Sequence, residues 1–145
     1  MTGQLLLLLT YILIFAAALA FVALGGMFSE RSGIINIGLE GIMVMSGFIG
    51  LITLVSLSKT ILADSTFGKI LIVVLTILAA ILTGILYSGL LSVLSIKFNA
   101  DQTLTGTALN LIATAIAMIF TKRLNGGSSD TINYNGSLFT WTIKF

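Results

Sequence analysis

Apolar and polar positions divide this chain into four long apolar runs separated by short polar breaks. Residues 1–29, 41–58, 70–96 and 102–121 hold no charged side chain, so the uncharged stretches measure 29, 18, 27 and 20 residues. A helix needs ~20 predominantly apolar residues to cross the hydrocarbon core of a bilayer. The pattern therefore predicts an all-α integral membrane protein with four transmembrane helices, at about 5–24, 34–57, 69–96 and 103–121. The first run should end at Gly25-Gly26, since paired glycines disfavour a helix interior. The third is long enough to tilt, and the fourth is closed by Lys122-Arg123. The second begins oddly. Asn36, Gly38, Glu40 and Gly41 fall where the sequence should be apolar, which predicts a broken or distorted helix near Gly38–Gly41.

Residues 1–124 thus read as one transmembrane domain, and 125–145 as an extramembranous polar loop or tail. The tail opens with Asn125-Gly126-Gly127-Ser128-Ser129-Asp130, a loop signature. Phe139, Trp141 and Phe145 suit a membrane interface. Ala18-Leu19-Ala20 resembles a signal-peptidase site. However, no Lys or Arg precedes it and the apolar run continues to Leu24, so a retained membrane helix is expected.

Composition narrows the function classes. Hydrophobic residues make up 57% and charged residues 8%, against about 25% charged in a soluble domain; mean hydropathy is +1.15. This excludes a soluble enzyme. No Cys and no His occur, which leaves no disulfide, no thiol chemistry and no Cys/His metal or haem site. No catalytic residue, metal ligand or cofactor is implied. A net charge of +2 with no basic run gives no footprint for nucleic acid. Pro is also absent, so interruptions of helices fall to Gly. Lys59, Lys69, Lys122 and Arg123 lie on one side of the predicted spans, and Arg31 and Lys97 on the other. The positive-inside rule then places the N-terminus in the cytoplasm of a multi-pass cell-membrane protein.

A few residues stand out chemically. Glu40 is an ionisable group within a predicted span, costly unless it faces protein or water. It either contacts a substrate or pairs structurally with Arg31, which Glu30 also approaches in sequence. Gly33, Gly38 and Gly41 bracket Asn36 and Glu40. Glycine there permits a broken or re-entrant element of the kind that houses polar transport sites, or simply close helix packing. Ala80, Gly84, Ser88 and Ser92 recur at spacing four, a stripe of small residues suited to helix packing. Gly106, Asn110 and Thr114 repeat that spacing in the fourth run. Asn110 needs a hydrogen-bond partner at membrane depth, and either lines a pathway or locks two helices. Asn36, Glu40 and Asn110 are the pathway candidates, expected in the protein interior with the second and fourth helices adjacent.

The run Ala23-Leu24-Gly25-Gly26-Met27-Phe28-Ser29-Glu30-Arg31-Ser32-Gly33-Ile34-Ile35-Asn36-Ile37-Gly38-Leu39-Glu40-Gly41-Ile42-Met43 resembles the signature of ABC-importer permeases for nucleosides and simple sugars. These belong with the ribose and branched-chain amino-acid permeases. Phe98-Asn99-Ala100-Asp101-Gln102-Thr103-Leu104-Thr105-Gly106-Thr107-Ala108-Leu109-Asn110-Leu111 is similar to the family's second recurring segment, an acidic loop before a Gly and an Asn of a membrane helix. The resemblance covers the N-terminal half of such a permease, so residues 1–124 would be a half-length permease domain from a fragment, a truncated product or a split half. It implies an ABC ATPase subunit, a second permease subunit or missing C-terminal half, and an external substrate-binding lipoprotein as partners, besides the lipid bilayer. No Walker A sequence is present, which assigns ATP hydrolysis to another subunit.

A contrasting reading is an ion-translocating proteolipid of a rotary ATPase. Four spans, a mass of 15.3 kDa and one intramembrane Glu match it. Such a carboxylate belongs near the bilayer centre, whereas Glu40 falls near one end of its span. A small structural membrane subunit without a pathway is the third reading, with only composition behind it.

Overall fold

A computed structural model describes residues 2–33, 35–59 and 65–124. The expected tail, 125–145, lies outside the described residues. Four helices follow in order: α1 (Thr2–Arg31), α2 (Leu39–Ser58), α3 (Thr66–Ser92) and α4 (Gln102–Leu124). A short π-helical turn, Val93–Lys97, prolongs α3. All four helices are long and apolar enough to cross a membrane.

Two boundaries differ from those expected. The first helix does not stop at Gly25-Gly26 but continues to Arg31. A glycine costs a helix interior about 1 kcal/mol relative to alanine, whereas a backbone group left unpaired in hydrocarbon costs several; the ladder is therefore kept through both glycines. Gly26 serves packing instead, since a Cβ there would lie 2.8 Å from Leu39 Cδ1. The helix then closes in a turn, with Ser32 N donating to Ser29 O and Gly33 N to Glu30 O, each at 3.0 Å. Gly33 adopts φ +85°, a conformation that favours glycine and ends the helix. Gly33, expected as a packing residue, is therefore a turn residue with open space around its Cα.

The second helix begins late. Residues 35–38 are not helical, and the first turn of α2 starts at Leu39. The distortion expected near Gly38–Gly41 is thus an elbow just upstream of a regular helix. The third helix begins slightly earlier than expected, at Thr66, and its last expected residues form the π-helical turn.

Pairwise contacts fix the topology. Gly50 of α2 meets Ala80 and Thr76 of α3, and Gly84 of α3 meets Ile42 and Ser46 of α2. Rising numbers on one helix match falling numbers on the other, so α2 and α3 are antiparallel. Gly38 lies against Gly106, Gly41 against Asn110, and Phe48 against Phe120 with ring centroids 6.5 Å apart. Here both numbers rise together, so α2 and α4 run parallel. The small core comprises Tyr87, Leu91, Leu109 and Ala113, packed by Ile42, Val44 and Met45. Helix α1 meets the rest mainly through α2, and residues 3–20 are exposed along its whole length. Such apolar exposure suits a lipid environment, where burial from water is not the force that holds helices together.

The expected stripe on α3 faces α2 at Ala80 and Gly84, and Ser88 is half-buried on the same helix. Around Gly84 a Cβ would find Ile42 Cγ2 at 3.8 Å and Ser46 Cβ at 3.9 Å, ordinary contacts. Gly84→Ala should therefore leave thermal stability in detergent near that of the parent. Gly84→Leu should lower stability by ~1–3 kcal/mol through overpacking. Equal melting of the Leu and Ala variants would show that this face is not in helix contact.

Candidate functional site

Four chain segments lie at the same end of the bundle: the end of α1, the elbow 35–38, the π-helical turn and the first turns of α4. The elbow is the least regular of them, and α4 holds it in place. Asn110 supplies the main tie. Its Oδ1 accepts from Gly41 N at 2.7 Å, and its Nδ2 donates to Ile37 O at 3.0 Å. The first backbone N–H groups of any helix lack intrahelical acceptors, and a side chain just before the helix normally supplies one. Gly38, at that position in α2, makes no side-chain cap. Asn110 takes over the role from another helix. A second tie lies one turn outward, where Ile35 N donates to Gln102 Oε1 at 2.9 Å.

Glycines make this approach possible. A Cβ on Gly41 would lie 2.8 Å from Asn110 Oδ1 and 3.0 Å from Asn110 Cα. One on Gly106 would lie 3.0 Å from Gly38 N and 3.1 Å from Ile37 Cβ. The elbow and α4 are therefore in backbone-to-backbone contact, which any larger residue would force apart. Helix α4 has its own local cap, since Asp101 Oδ1 accepts from Thr103 N at 2.8 Å and Leu104 N at 3.1 Å. Tyr87 ties α3 to α4, its hydroxyl donating to Leu109 O at 2.7 Å.

Of the three pathway candidates, the structure brings two into the junction. Asn110 and Asn36 are both half-buried. Asn36 Oδ1 is fully shielded and has no hydrogen-bond partner among the described residues. Glu40 does not join them in the interior: it is exposed on this chain. The late start of α2 explains this, because Glu40 falls in the first helical turn. There a carboxylate is favoured by the helix dipole and lies at the rim of the span. The sequence reading passed over Gln102, Tyr87 and Ser95. Tyr87 carried a usable signal, since a phenol at membrane depth seeks an acceptor.

The family model described as branched-chain amino acid transport system / permease component matches residues 8–144. The chain belongs to this family of transport permeases. It is similar to the guanosine ABC transporter permease protein NupQ of Bacillus subtilis (strain 168), with 38% identity over 117 residues, 79% of this chain and 34% of that protein. It is also similar to the nucleoside ABC transporter permease protein NupC of Lactococcus lactis subsp. cremoris (strain MG1363), with 34% identity over 131 residues, 90% of this chain and 38% of that protein. The matched stretch is thus a little over a third of each relative's length. No solved structure matches the chain. Nothing supports the rotary-ATPase proteolipid: family membership points elsewhere, and Glu40 lies at a helix start instead of mid-span.

If Asn110 caps α2, its loss orphans Gly41 N–H and Ile37 C=O, at about 1–3 kcal/mol for each buried group. Asn110→Leu should markedly lower the melting temperature of the permease in detergent, and Gly106→Ala should also destabilise it by driving a Cβ into the Ile37–Gly38 backbone. Asn110→Leu protein as stable as the parent would show that the amide does not hold the elbow.

Proposed function

We propose that this chain is part of the membrane-spanning permease subunit of an ATP-driven importer for nucleosides or related simple sugars. The observation that carries the proposal is the 38% and 34% identity to permeases named for guanosine and nucleosides, over 79% and 90% of this chain. Its partners would be an ABC ATPase subunit that hydrolyses ATP, a second permease subunit or the remainder of a longer permease, and an external substrate-binding lipoprotein. The chain itself would perform no covalent chemistry. It would contribute helices to an alternating-access pathway.

The fold supports this reading in two ways. A discontinuity at the start of α2, packed against another helix, is where transporters house polar groups without exposing unpaired backbone to lipid. The charges also sort by end. Lys59, Lys69, Lys122 and Arg123 lie at the end opposite the elbow, while Arg31 and Lys97 share the elbow end with Glu30, Glu40 and Asp101. By the positive-inside rule the elbow end faces outward, the side from which an external binding protein would deliver substrate. Asn36 and Glu40 remain pathway candidates in this proposal, and Asn110 becomes the group that positions the elbow carrying Asn36 and the first turn of α2 carrying Glu40.

The test is assembly and coupling. The permease should co-purify with an ATPase subunit, and in proteoliposomes a nucleoside with its binding protein should stimulate ATP hydrolysis and drive uptake of labelled guanosine. Stimulation by branched-chain amino acids but not by nucleosides would move the substrate class elsewhere in the family.

A further inference from the structure

Two buried oxygens at the elbow end have no hydrogen-bond partner among the described residues: Asn36 Oδ1 and Ser95 Oγ. They belong to different elements, the elbow and the π-helical turn that prolongs α3, and Leu91, one turn before Ser95, packs against the elbow at Gly38. Asn36 Oδ1 and Leu91 Cδ2 lie 3.4 and 3.6 Å from the point where a Gly38 Cβ would sit, and Gly106 Cα is 3.7 Å from it. Leu91 is 3% exposed, and Ser95, four residues further on the same helical face, is 9% exposed.

Several hydroxyls in these helices are satisfied locally, and Ser95 Oγ, although buried, is not. Ser46, Thr76, Thr83 and Thr107 each donate to the carbonyl four residues earlier, at 2.7–2.9 Å. That local bond is the default way to satisfy a hydroxyl in a membrane helix. Ser95 sits at the centre of the π-helical turn Val93–Lys97, which widens the helix and alters the register of its carbonyls. Such turns occur frequently at functional sites. A buried polar group without a partner is unfavourable, and a ligand bound in another state of the protein would supply one.

We propose that Asn36 and Ser95 form a polar subsite for the permeating solute, receiving a neutral edge that carries a donor beside an acceptor. The amide oxygen accepts and the hydroxyl donates or accepts. The partner chemistry is a sugar diol or the lactam edge of a purine; neither Asn36 nor Ser95 carries a charge with which to recognise an ionised group. The elbow would admit the solute as its contacts with α4 loosen during the transport cycle. This inference rests on the nucleoside-permease reading.

The experiment uses the full-length permease, assembled with its ATPase and binding-protein partners in proteoliposomes, and labelled guanosine as the probe. Asn36→Ala and Ser95→Ala should each raise the KM for uptake by up to roughly tenfold, the loss of one neutral hydrogen bond. Melting temperature should not fall, because removing an unpartnered group removes no structural bond. Ser95→Thr should restore a KM near that of the parent. Competition by 2′,3′-dideoxyguanosine separates the two edges. If the parent's preference for guanosine over this analogue disappears in the variants, the subsite holds the diol; if the preference survives alongside the raised KM, it holds the base. An unchanged KM in both alanine variants would overturn the proposal, as would a lowered melting temperature in Ser95→Ala, which would mark the hydroxyl as structural. Absence of guanosine uptake by the parent assembly would count against the nucleoside reading itself.

Discussion

The bridge from the Asn110 side chain to the backbone on either side of Gly38 is the interaction on which the rest of the junction depends. A helix that starts inside a membrane protein exposes N–H groups that neither lipid nor its own sequence can satisfy. Here the sequence before Leu39 offers only glycine at the capping position. The acceptor comes from α4, and its use fixes the register of these two parallel helices. Everything nearby adjusts to that register: Gly41 and Gly106 lack side chains because the backbones touch, and α3 fills the antiparallel position beside α2.

Two ties set the path of the elbow. Gln102 holds Ile35 and Asn110 holds Ile37 and Gly41, so a non-helical segment of four residues is fixed near both ends. Two of its backbone groups, Ile35 N–H and Ile37 C=O, are satisfied by side chains of α4 without a continuous helix. By contrast α1, whose residues 3–20 are exposed throughout, is free to take its position from lipid or from further helices of a longer permease.

Hydropathy made the four spans legible because crossing a bilayer demands length and apolarity before anything else. Helix ends were less so. The glycine pair at 25–26 read as a stop under rules drawn from water, where an interrupted helix can solvate its backbone; in hydrocarbon the same pair is carried through. The cost of burying Asn110 called for a hydrogen-bond partner, lining a pathway or locking two helices, but not for a backbone cap, since the late start of α2 is itself a tertiary effect. That same late start moves Glu40 to the rim. Gln102 and Ser95 gave no warning, because a glutamine at a helix start and a serine near a helix end are ordinary. Only the π-helical turn makes Ser95 unusual.

The external cap also has a consequence for biogenesis. Asn110 follows Gly41 by 69 residues. At synthesis rates of roughly 5–20 residues per second, about 3–14 s elapse between the emergence of the two partners from the ribosome. During that interval α2 and the elbow are made without their acceptor. The young polypeptide must wait with one turn of helix unfinished, and the delivery of α4 to the membrane is the event that completes it.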